Sequence, residues 1–141
     1  MKQVFESLDR LVERVAGHAH WLLRVGLAAS FLSHSLPRYG ALDAFAERMD
    51  LPYGAAVMAT MVETLAAMAI LVGGFVPGML GHWITRLGAF AYVPIMAVAI
   101  LTQHWGRWSF TPAPDYPLGG AEFPTIMLLT ATYLGIKGNR A

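Results

Sequence analysis

The chemistry open to this chain rests on His34, His104, Glu63 and Glu122, which can take up or release protons, and on Arg24, Arg38 and Trp105, which can hold a charged or aromatic ligand. Glu63 is the most unusual of them. It sits near the middle of "GAAVMATMVETLAAMAILVGGF", where nearly every neighbour is apolar or small. A carboxylate in such a stretch either pairs with a cation to fix helix register or relays protons. Two histidines on neighbouring helices could bind haem iron or copper axially, hydrogen-bond a quinone carbonyl beside an aromatic ring, or tie the two helices together. His18 and His20, in "GHAHW", are expected to be solvated, and no dedicated metal-ligand set is expected. Cysteine is absent. The chain alone therefore has neither thiol–disulfide exchange nor thiolate ligation, and any redox chemistry must use a borrowed cofactor.

Such residues must be positioned by elements, and composition says what kind. A soluble domain carries about 25% charged residues. This chain of 141 residues has 13%, with 56% hydrophobic residues and a mean hydropathy of +0.50. That is a membrane-protein composition. A net charge of +1 offers no basic field for nucleic acid, and P-loop, GxGxxG, HExxH and GxSxG motifs are missing.

Four segments are apolar enough for a span, which needs roughly 20 helical residues. They run at about 21–37, 54–75, 83–102 and 118–136, the first and last being short. The expected fold class is all-α, an integral membrane four-helix bundle over 18–141 preceded by an amphipathic interfacial helix over 1–17. In that leading helix Val4, Phe5, Leu8, Leu11, Val12 and Val15 recur at helical spacing, with Glu6, Asp9, Arg10, Glu13 and Arg14 opposite. A partner-contacting cytoplasmic helix would show the same pattern. The first span is expected to be retained, not cleaved as a signal peptide. Lys2, Arg10, Arg14, Arg24, Arg86, Lys137 and Arg140 against Arg38, Arg48 and Arg107 place both termini in the cytoplasm. The second outer loop, "QHWGRWSFTPAPDYPLGGAE", is either an aromatic belt anchor or a lid over a site.

Polar side chains inside spans face the interior or a partner. Arg24, Phe31, His34, Ser35 and Arg38 fall within roughly an 80° arc of the first span. Arg86 and His104 share a face of the third, about five turns apart, and Pro94 between them removes a backbone donor and is expected to kink the helix. Glu122 suits the first turn of the fourth. By depth, His34, Arg38, His104 and Glu122 form an expected outer cluster, while Arg24 is expected to reach Glu63 from the inner side.

Three stretches carry a resemblance. "LLRVGLAASFLSHSLPRYG" resembles the first span of DoxX-type membrane proteins, with serine and arginine where the His-Gly-x-x-Lys-like ending has glycine and lysine. "VETLAAMAILVGGF" is similar to the family's second span, and "GGAEFPTIMLLTATYLG" to its Gly-Gly-x-Glu-Phe entry into the fourth. The similarity runs from about Trp21 to Gly135. It implies a four-helix protein of the bacterial or archaeal inner membrane, in a family named for a subunit of thiosulfate:quinone oxidoreductase. The fold would also be similar to the quinone-reducing membrane proteins of disulfide formation, whose cysteines are missing here.

The leading expectation is a membrane subunit of a quinone-linked oxidoreductase with a polar site near the outer face. There His34, His104, Glu63 and Glu122 would handle protons, and Arg24, Arg38, His34, His104 and Trp105 would hold the cofactor. Quinone is the expected cofactor, with haem the second choice. The electron donor would be a partner redox subunit, and the chain could also form a homo-oligomer in the bilayer. Two alternatives are a non-catalytic anchor for a partner protein and a small intramembrane proton or solute path.

Overall fold

The computed structural model describes residues 1–140. These are all-helical, with α1 at Lys2–Ala16, α2 at His20–Arg38, α3 at Leu42–Arg48, α4 at Tyr53–Phe75, α5 at Gly78–Ala99 and α6 at Glu122–Lys137. A π turn, Ile100–His104, continues α5, and a 3₁₀ turn, Gly138–Arg140, follows α6. Two helices are long and apolar enough to cross a membrane: Tyr53–Phe75 and the run Gly78–His104 formed by α5 with its π turn. α6 has 16 residues, and α2 carries Arg24 and Arg38 within its 19.

Proline sets the hairpin between α4 and α5. The residue before a proline is driven out of helical geometry, and Val76, before Pro77, adopts ψ 120 and ends α4. α5 begins immediately after Pro77. The two helices then run back along one another on a seam of small residues. A Cβ on Gly81 would collide with the carbonyl oxygen of Val76, and one on Gly88 would lie 2.8 Å from the Cβ of Ala69. This backbone approach is typical of helices that associate by close packing instead of by burying large apolar side chains.

The side chains are sorted accordingly. Ala66, Ala67, Thr60 and Ile70 of α4 and Thr85, Ala89 and Tyr92 of α5 are buried. Leu65, Met68, Leu80, Leu87, Leu101 and Leu129 stay more than half exposed. Water would penalise an exterior so apolar, whereas hydrocarbon would not. α2 packs on α4 and α6 on α5, with a lighter contact between α2 and α6. Where α2 meets α5, the rings of Phe31 and Tyr92 stack with centroids 3.5 Å apart.

Two features depart from expectation. α3 occupies part of the stretch between the first two expected spans and packs through Phe45 and Ala46 against Ala56 of α4. α6 starts at Glu122, four residues past the expected Leu118, because Gly120 and Ala121 give their N–H groups to the carbonyls of Ser109 and Arg107 in the preceding loop. Pro94 lies inside α5, which continues into the π turn at Ile100. α1 forms where the amphipathic spacing places it, and it buries none of its residues.

Candidate functional site

Beneath α3, between the C-terminal half of α2, the N-terminal half of α4, the end of α5 and the start of α6, lies a cavity of about 1270 Å³. Its walls are mostly apolar, with Phe31, Phe45, Ile95, Met96, Phe123 and Met127 prominent. His34, Arg38, Glu63, Gln103 and His104 supply the polar groups, and Arg48 and Asp50 come from α3 and the turn after it. Four of the residues singled out from sequence thus line one cavity: His34, Arg38, Glu63 and His104.

Arg38 and Glu63 form the charged part of this wall. Nη1 of Arg38 donates to Oε2 of Glu63 at 2.6 Å. The Glu63 side chain is 6% exposed and that of Arg38 20%, so the pair is largely withdrawn from solvent. Phe45 of α3 covers the guanidinium, with Arg38 Cζ 4.3 Å from its ring centroid. A cation over an aromatic face gains from the ring quadrupole. Only Nη1 is engaged, so the other guanidinium N–H groups have no hydrogen-bond partner among the described residues. One turn of backbone is secured as well, because the Tyr92 hydroxyl donates to the main-chain carbonyl of Glu63 at 2.6 Å.

The histidines differ in their fixing. His104, last in the π turn, has Nδ1 2.8 Å from the carbonyl oxygen of Gly119. Such turns are rare and concentrate at functional sites. His34 lines the cavity from α2 with its ring exposed and no hydrogen bond among the described residues.

Arg24 does not meet Glu63. It crosses α4 at Ile70, seven residues or about two turns further along the helix, and is fully buried there. All five of its N–H groups find neutral acceptors: Nε on His20 Nδ1, Nη1 on the Ile70 carbonyl and Thr85 Oγ1, and Nη2 on the Gly138 carbonyl and Asn139 Oδ1. Thr85 Oγ1 in turn donates to Asn139 Oδ1 at 2.8 Å, and Asn139 Nδ2 donates to the Gly73 carbonyl at 2.8 Å. A guanidinium saturated in this way has no donor left for a ligand. Arg24 is therefore a structural clamp at the opposite end from the cavity. Glu122 is not part of the cavity wall either, although its neighbours Phe123 and Pro124 are. Trp105 is 68% exposed and borders a separate, shallower hollow with Arg107 and Trp108.

Sequence reasoning did not find Thr85, Tyr92 or Asn139. Asn139 lies beyond the last apolar run, and a single hydroxyl in an apolar helix, as at Thr85 or Tyr92, gives no sign of its partner. Among the described residues no three His, Asp or Glu side chains gather as a metal site. Compared with protein-family models, with curated proteins and with solved structures, the chain matches none.

Proposed function

We propose that this chain is a four-span inner-membrane protein of the DoxX type its motifs resemble, and that its cavity binds the head of a quinone-class ligand within a redox assembly. In this reading α2, α4, α5 and α6 cross the bilayer, α1 lies in the interface, and both termini are cytoplasmic. The observation that carries the functional part is the cavity: about 1270 Å³, apolar in its walls, with Arg38, Glu63, His34 and His104 among its polar groups. Ligand sites have this form, a mainly apolar enclosure with a few placed polar groups. It suits a molecule with a long apolar body and a small polar head able to exchange hydrogen bonds. The apolar exterior of α4 and α5 supports delivery of such a ligand from within the bilayer.

Reducing or oxidising a quinone moves two electrons and two protons. Glu63, His34 and His104 can carry protons at the cavity, while the electrons would come from a partner subunit. The test is an absorption spectrum of the purified protein, extraction of what accompanies it, and titration with a short-chain benzoquinone. Saturable binding that Arg38→Met weakens is expected; a folded protein that binds no quinone overturns the reading, and a Soret band would assign the histidines to haem.

A second reading, an anchor for a partner protein, is favoured by one observation: the apolar stripe of α1 is wholly uncovered. Glu63→Gln and His34→Ala separate the two. Variants that assemble with their partner but lose electron transfer support the quinone site, whereas variants that lose assembly, in a protein with no activity of its own, support the anchor.

A further inference from the structure

His104 is held more tightly than its place at a helix end suggests. A carbonyl oxygen can only accept a hydrogen bond, so the 2.8 Å contact with Gly119 makes Nδ1 the protonated nitrogen of the neutral ring. The peptide that supplies this oxygen is pinned on its other side, because the N–H of Gly120 donates to the Ser109 carbonyl at 2.8 Å. It cannot turn over to offer a donor instead. Packing confirms the confinement: a Cβ on Gly119 would lie 2.7 Å from the Phe110 carbonyl oxygen, and one on Gly120 would collide with that of Arg107. Nε2 is left with a lone pair and no partner among the described residues, on a ring that lines the cavity.

The polar groups of the cavity thus differ in what they ask of a ligand. Arg38 presents N–H donors beyond the one given to Glu63, so it calls for an acceptor. His104 presents an acceptor, so it calls for a donor. We infer that the cavity selects the reduced, dihydroxy form of its quinone-class ligand, with one hydroxyl donating to Nε2 of His104. This rests on the reading of the cavity as a quinone site. An oxidised head carries only carbonyl oxygens and would set a lone pair against the lone pair of Nε2. Among apolar walls two facing acceptors stay unsatisfied, which costs more than the mean strength of one hydrogen bond. Arg38 does not discriminate, because a hydroxyl oxygen and a carbonyl oxygen both accept. Of these two groups, it is His104 that tells the two forms apart.

The test is anaerobic calorimetric titration of the detergent-solubilised full chain with decyl-benzoquinone and with its hydroquinone. The hydroquinone is expected to bind about tenfold more tightly, as one hydrogen bond in an apolar site implies. His104→Phe keeps a flat ring in the wall and removes the acceptor, so the two forms should then bind within about twofold of each other. If that variant does not fold, His104→Gln serves, since its amide can rotate to offer either oxygen or N–H and should also erase the preference. Quinone binding as tightly as hydroquinone to the native protein, or a preference that survives both substitutions, overturns the inference while leaving a quinone site in place. Binding of neither form overturns the quinone site as well.

Discussion

Arg38 and Glu63 are 25 positions apart in sequence and 2.6 Å apart in space, and they form the one ion pair among the described residues. The pair couples the end of α2 to the middle of α4 under the ring of Phe45. Breaking a buried pair leaves a lone charge, whereas removing both partners leaves none. Glu63→Leu and Arg38→Met should each lower unfolding stability in detergent by about 3 kcal/mol. The double variant should lose much less than the sum, which a double-mutant cycle on denaturant unfolding would read. Additive losses would mean that the pair contributes no coupling.

At the other end, Asn139 takes part in bonds to Arg24, Thr85 and Gly73. Asn139→Ala should cost about 2–4 kcal/mol, since it strips an acceptor from a buried guanidinium and a donor from a buried carbonyl. Arg24→Met in the same background should add less than it costs alone. Unfolding midpoints of the two single variants and the double check this.

The small-residue seam makes a paired prediction. Gly81→Ala places a methyl group against the Val76 and Gly73 carbonyls and should destabilise by about 1–3 kcal/mol. Gly26→Ala meets nothing within 4 Å and should stabilise α2 by roughly 0.5–1 kcal/mol through helix propensity. Opposite signs in thermal shift, measured side by side in one detergent, are the expected result.

The absence of cysteine gives a clean background for mapping the bilayer. Single cysteines at Leu65, Leu87 and Leu129, all exposed in the structure, should resist water-borne thiol reagents in vesicles. A spin label on each should instead be relaxed by oxygen dissolved in the lipid. Fast labelling by an impermeant reagent at any of the three would place that helix face in water.

Much of this architecture is legible in the residues because long apolar runs and proline punctuation act locally. Val76–Pro77 ends α4, and the same dipeptide is visible in the sequence. Glu63 stands out for a similar reason, as a charge in an apolar run has few places to go. Its partner is harder to read. Depth along a helix is a one-dimensional estimate, and it gave the carboxylate to Arg24, where the structure gives it to Arg38. The contest is settled by where α2 crosses α4 and by the reach of the arginine side chain, which are tertiary quantities. Asn139 and α3 escape for a related reason: one lies past the last α-helix and the other is a seven-residue helix in a loop. Short elements of this kind are specified by what they pack against more than by their own pattern.

The clamp around Arg24 also imposes an order in time. A ribosome adds Arg24 early, yet the carbonyl of Gly138 and the amide of Asn139 that satisfy it follow 114 and 115 residues later. Until then two guanidinium N–H groups lack their final acceptors, and the helices around them cannot close without burying a half-bonded cation. Docking of α2 against α4 and α5 therefore reaches completion only after α6 and the turn that follows it have packed. An incomplete product would carry that unfinished cation as a chemical mark of its own immaturity.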